Sequence, residues 1–281
     1  LWFSQTVSTH TAGPCRTRRL RSQQVEGGLG VGGVEAENEV RLFRLAGRQL
    51  GLLSADQREQ FGYPRGLMRH RLATGEWTRV CRGLYKVGAG LLSADQRDLA
   101  AVLAGGAGAV LSHQSAARRL GLDCAVAPRV QLTVPWGRSV RLLRSVRTWR
   151  SRELEPADVT SRGPFRLTAV GRTLVDLAGV LEPRWLRAAL DSALRQSARN
   201  LDLTARALEV YGPGRPGAGQ LRALVAEYRA GAEVPDSALE SLFVELTTPL
   251  GLARPEPHFK VRSGGQLIAE VDFAWPELRL G

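Results

Sequence analysis

Two sets of residues in this chain of 281 residues have the types and spacing to do chemistry. The first is basic. From Arg58 to Lys86 seven arginines and lysines stand against only two acids, Glu59 and Glu76, with His70 among them. Guanidinium groups match phosphate oxygens and base edges in a fixed fork, so their concentration on one short segment points to double-stranded DNA as a partner. The second is acidic. Asp272 interrupts the apolar run "LIAEVDFAW", placing a carboxylate on what reads as a buried strand. Its meaning depends on what stands beside it.

The basic set needs elements to aim it. "EVRLFRLAGRQLG" reads as a helix from near Val40, with Val40, Phe43 and Leu50 on or near one face and Leu45 less well placed. "SADQREQFG" opens with Ser54 as an N-cap and closes on Gly62, and "YPRGLMRHRLATGEW" starts with Pro64 in its first turn and stops at Gly75. Met68 and Leu72, four apart, would face a core. Arg65 and Arg69 then share another face, with His70 and Arg71 beside them, free to reach bases or phosphates. "WTRVCRGLYKV" reads as a hairpin turning at Arg82-Gly83 and contributes Arg79, Arg82 and Lys86. Three helices and a basic hairpin are the plan of a winged helix-turn-helix, whose second turn helix enters the major groove while the wing follows the backbone.

The rest of the chain sets the frame. The formal charge is +12, which suits a polyanionic partner. Of 39 basic residues only Lys86 and Lys260 are lysine, a bias that coding DNA rich in G and C would also produce. No run approaches the roughly 20 apolar residues of a membrane helix, and the N-terminus lacks the charge order of a signal peptide. Cys15, Cys81 and Cys124 are odd in number and widely spaced, which fits a reducing cytoplasm rather than a disulfide framework. The expected fold class is α/β (α+β). Residues 1–45 read as a disordered or non-native tail, 46–88 as the winged helix and 89–210 as a mixed α/β domain. The stretch "YGPGRPGAGQ" at 211–220 reads as a linker and 221–281 as a separate module.

Within the middle region, "RDLAAVLAGGAGAVLSHQSAARRLGLD" reads as two helices, with Ser112 capping the second. "RVQLTVPWG" and "VRLLRSVRTW" alternate like strands, and a long helical stretch is interrupted at Pro183. Arg138, Arg141, Arg144, Arg147 and Arg150 recur at every third position in a stretch without acids between Asp123 and Glu153. That gives a generally electropositive surface able to extend phosphate tracking, with Trp136 and Trp149 as core or edge packing residues rather than base-stacking platforms. "GLLSADQR" occurs at 51–58 and again at 90–97 and reads as one capped-helix solution used twice. The four histidines lack ligand spacing, and "GGAG" lacks the lysine and hydroxyl of a phosphate-binding loop.

Two resemblances add to this. "GLLSADQREQFGYPRGLMRHRLATGEWTRVCRGLYKVG" resembles the N-terminal winged-helix domain of AbiEi-type antitoxins of type IV toxin–antitoxin systems. "LSHQSAARRLGL" and "RLTAVGRTLVDLA" are similar to segments that follow it. This resemblance implies DNA binding, repression of the protein's own operon and a cognate toxin as a further partner.

"SALESLFVELTTPLGLARPEPHFKV" with "GQLIAEVDFAWPELRLG" resembles a domain related to very-short-patch-repair endonucleases of the PD-(D/E)xK superfamily. It implies a Mg²⁺-dependent nuclease site, with Asp272 as the metal-binding aspartate and Glu240 as the supporting helix carboxylate. The family pattern also carries a Glu-x-Asp-Gly strand beyond Gly281. The expectation is therefore an incomplete module that needs Mg²⁺ only once completed. Either the chain is a fragment of an endonuclease, or it is a degenerate copy kept for DNA binding, and whether it is an enzyme stays open.

Overall fold

The computed structural model describes residues 32–281 apart from 125, 138–144, 153, 236–242, 244–245, 248–252 and 254, and gives no side-chain detail for 32–35, 257 and 258. The first unit begins with α1 (Gly32–Arg48), which reaches well into the glycine-rich stretch that composition assigns to a tail. Tertiary burial supports this helix. Leu42 and Ala46, four apart, are buried while Val40 is exposed, so the buried face is rotated from the one centred on Val40. There follow β1 (Leu52–Ser54), α2 (Ala55–Gln60), α3 (Arg65–Ala73), β2 (Trp77–Cys81) and β3 (Leu84–Val87). The sheet order is β1-β3-β2, antiparallel throughout. The core of this unit is aromatic. Tyr63 stacks on Trp77 at 5.6 Å, and Phe43 meets both rings edge-on, an arrangement worth about 0.5–1.5 kcal/mol per pair beyond area burial.

The repeated octapeptide does form the same cap twice. Ser54 Oγ accepts from the Gln57 amide at 3.1 Å and Gln57 Oε1 accepts from the Ser54 amide at 3.0 Å. Ser93 and Gln96 reproduce both bonds at the start of α4 (Ala94–Gly105). The leucines before each cap diverge, because Leu52 and Leu53 are buried in cores whereas Leu91 is 96% exposed. Local sequence fixes the cap, and tertiary context decides the burial.

The second unit continues through β4 (Val110–Leu111), α5 (His113–Leu120), β5 (Val130–Pro135), β6 (Val146–Ser151), β7 (Val159–Arg162) and β8 (Phe165–Thr168). Four helices close it: α6 (Val170–Ala178), α7 (Pro183–Gln196), α8 (Arg199–Tyr211) and α9 (Ala218–Arg229). Its sheet order is β6-β5-β4-β8-β7, with β6 at an edge. β5 and β6 run parallel, as do β4 and β8. β4 and the β7–β8 hairpin are absent from the sequence reading. A two-residue strand has no periodicity to detect, and "VTSRGPFRLT" shows only one apolar alternation. The interruption at Pro183 is real, with Pro183 opening α7.

One core joins these parts. Leu111, Leu132, Leu167, Leu174, Leu190, Leu208 and Leu221 belong to a single cluster that also takes in Leu52 and Leu84 of the first sheet. The Gln96 side chain donates to Leu50 O at 2.8 Å, tying α4 back to the first unit. The Gly/Pro connection before α9 is a packed turn rather than an open linker. At Gly217 (φ 74°) a Cβ would lie 1.8 Å from Ala178 O, so only glycine lets the chain pass there. α9 therefore docks on α6, α7 and α8.

Last come β9 (Glu256–Ser263) and β10 (Gln266–Ala274), an antiparallel pair turning at Gly264-Gly265. Phe243 stacks on Phe273 at 4.4 Å. The chain is thus mixed α/β, and among the described residues no helix is long and apolar enough to cross a membrane.

Candidate nucleic-acid interface

α3 is held from beneath by packing and at its start by a tight turn. Met68 and Leu72 lie against the aromatic core, as their spacing predicts. Gly62 takes φ 64° between α2 and α3, and Tyr63 is buried immediately after it. Arg58, also buried, donates to Tyr63 O and to Glu59, so this arginine braces the turn. Pro64 sits at the cap position, one residue before the helix proper.

The basic residues then divide into two groups. Arg69 and His70 on α3 are exposed, as are Arg79 on β2 and Arg82 in the hairpin turn. Among the described residues none of these arginines makes an ion pair. Arg65 is also exposed, and its guanidinium reaches Glu59 at 2.7 Å across the turn. That bond, more than any other contact, holds the Glu59 carboxyl below its ordinary range. A phosphate can displace so exposed a carboxylate at little cost, since water screens a surface pair.

Arg71 and Lys86 turn the other way. Arg71 donates to Tyr63 Oη at 2.7 Å, to Glu76 at 2.9 Å and to Glu39 at 2.9 Å, and its guanidinium lies over Phe43. It ties α1, α3 and the entry to β2 together, so it is a brace rather than a free contact. Burial pushes the Tyr63 phenol up, against the opposing pull of Arg71. Lys86 is 8% exposed, and its Nζ donates to the carbonyls of Ala89, Gly90 and Leu91 at 3.0–3.2 Å. It fastens the connection to α4 and does not face outward. β3 is the central strand of its sheet and is buried on both faces, with Leu84 and Lys86 on one and Tyr85 on the other.

Of the acidic set, only Asp272 lies among the described residues. Asp272 lies on β10 with its side chain exposed, so the strand is not buried on that face. Glu270 shares this face by alternation. Glu240 falls outside the described residues. Among the described residues no group of three or more His, Cys, Asp or Glu is gathered to hold a metal. A Mg²⁺ site at Asp272 would need carboxylates from beyond the described residues.

Two features escaped the sequence reading. The first is a buried polar cluster in the second unit. His113 adopts φ 51°, a conformation that costs a non-glycine residue about 1–3 kcal/mol. Its ring stacks on Trp149 with centroids 3.7 Å apart. Ser112 gives α5 no side-chain cap; its hydroxyl instead lies 2.9 Å from His113 Nδ1. Burial lowers the imidazole pKa to about 4. Nearby, Arg172 and Arg215 both donate to Asp176. The second feature is Trp136, which is 59% exposed with the Arg152 guanidinium 4.8 Å over its ring. Trp149 packs against His113, whereas Trp136 lies outside the core, at the sheet edge.

No protein-family model matches the chain, and no curated protein does. Part of the chain is similar to the crystal structure of the RV2827C protein from Mycobacterium tuberculosis, at 19% identity and a TM-score of 0.46, covering 68% of this chain and 76% of that one. That likeness is one of partial fold and carries no activity.

Proposed function

We propose that this chain binds double-stranded DNA, with α3 as the groove-reading helix and the β2–β3 hairpin lying along the backbone. The observation that carries the reading is a set of exposed basic side chains whose arginines make no ion pair among the described residues. Arg69 and His70 on α3 and Arg79 and Arg82 on the hairpin project from a helix and a strand pair braced by Arg58, Arg71 and Lys86. The element order α1-β1-α2-α3-β2-β3 and the sheet order β1-β3-β2 are those of a winged helix, which supports the same reading. Arg65 adds a further cation once Glu59 releases it. A regulatory role of the antitoxin kind, with a toxin as second partner, follows from the resemblance of "GLLSADQREQFGYPRGLMRHRLATGEWTRVCRGLYKVG".

The test is selection of preferred duplexes from a random pool, followed by anisotropy titration of the selected site. Arg69→Ala is expected to lower affinity for that site by about 1–3 kcal/mol and to relax its sequence preference. Failure to enrich any sequence, or an unchanged preference in the variant, contradicts the assignment of α3.

A further inference from the structure

Outside the winged unit, the edge of the larger sheet carries a second basic surface. β6 pairs with β5 on one side only among the described residues. Its parallel register sets Thr148 beside Leu132 and Arg150 beside Val134, so Thr148 and Arg150 share the sheet face on which α4 covers β5. The ladder continues past β5 through Trp136 N donating to Ser151 O at 2.8 Å, which places Trp136 two residues beyond Val134 on that face. Thr148, Arg150 and Arg152 are exposed. Neither arginine has a carboxylate partner among the described residues, and Arg152 lies over the exposed Trp136 ring. The result is a ledge on which one guanidinium lies over an exposed indole and a second stands on the same face of the edge strand.

We infer that this ledge takes single-stranded nucleic acid, with Trp136 stacking on an unpaired base and Arg150 and Arg152 on the adjoining phosphates. The chemistry selects that partner. A duplex keeps its bases stacked inside and offers only phosphates, and an acidic peptide offers carboxylates. In either case the indole has nothing to stack on. A single strand presents a flat π face and a phosphate at each step, and stacking on an aromatic side chain tolerates any base. The guanidinium already over one side of the ring adds cation–π attraction and holds the indole in place. This surface lies apart from α3 and the hairpin, so it does not rest on the duplex-binding reading.

The test is fluorescence anisotropy on the full chain with a labelled oligothymidylate of about 20 nucleotides and a duplex of equal length. Trp136→Ala is expected to weaken oligothymidylate binding by about 5- to 150-fold, the loss of one stacked base, while Trp136→Phe retains most of it. Arg150→Ala/Arg152→Ala is expected to make the slope of log K against log salt shallower by about 1.4 for the single strand. All three variants leave duplex affinity unchanged, and Arg69→Ala does the reverse. The inference is overturned if the wild-type chain does not bind oligothymidylate or if Trp136→Ala binds it like wild type. It is overturned equally if the ledge variants weaken duplex and single strand alike, which would make the ledge a duplex-backbone contact.

Discussion

Lys86 is the sharpest place to separate a brace from a contact. Its ammonium, 8% exposed, donates to three carbonyls in the connection Ala89–Leu91. Hydrogen bonds from a charged donor contribute about 1.5–3 kcal/mol each when their partners are stranded in a dry interior. Here Ala89, Gly90 and Leu91 are exposed, so their carbonyls can return to water and each bond counts for less. Lys86→Met keeps the aliphatic stem and removes the donors, for an expected loss of about 2–3 kcal/mol. Urea unfolding of the full chain followed by far-ultraviolet circular dichroism measures it. Because the lysine faces inward, the salt dependence of duplex binding should not change. Arg82→Ala, an exposed turn residue, should do the opposite. It is expected to shift stability by less than about 0.5 kcal/mol and to make the salt slope shallower by about 0.9. A Lys86→Met protein as stable as wild type that loses about 0.9 in salt slope would refute the reasoning and return Lys86 to the interface.

Asp98, 1% exposed, pairs with Arg118 and Arg119 at 2.6 Å, and Arg119 also lies over Phe165. Asp98→Asn leaves Arg119 with only the exposed Asp95, at 2.7 Å, as a carboxylate partner among the described residues and should lower stability by about 1.5–3 kcal/mol in the same urea assay. His113 should make the fold acid-sensitive. Its pKa is lowered to about 4 in the folded chain against about 6.5 unfolded, so the unfolded chain binds the extra proton between those values. Stability is therefore complete above about pH 6.5 and falls by about 3 kcal/mol as the pH drops to 4. His113→Gln should flatten that part of the fall, read as the difference in urea midpoint between pH 7 and pH 4.5 for the two proteins.

Much of the first unit was legible because its signals are local. Ser54 with Gln57, Pro64, Gly62, Gly75 and Gly83 each punctuate the chain within a few residues, and Met68 with Leu72 marks the inner face of α3. What could not be read depends on distant partners. Arg71 looks like any other exposed arginine until Glu39, 32 residues away, and Tyr63 are seen beside it. The short strand β4 acquires meaning only between β5 and β8. The Gly/Pro connection at 212–217 carries every mark of a linker. It is nonetheless closed by Arg215 on Asp176 and by the close approach of Gly217 to Ala178. Whether Trp136 lies in the core or at the edge depends on a distant partner too, since an indole two residues beyond a buried valine is covered only where α4 extends far enough to reach it.

The central claim is that α3 and the hairpin turn present free cations to a duplex. The most direct measurement is the slope of log K against log salt for a duplex of about 20 base pairs, comparing wild type with Arg69→Ala/Arg82→Ala. Two lost phosphate or base-edge cations predict a slope shallower by about 1.8, with unfolding unchanged. Equal slopes for the two proteins, or no duplex binding by the wild-type chain at low salt, would contradict the account.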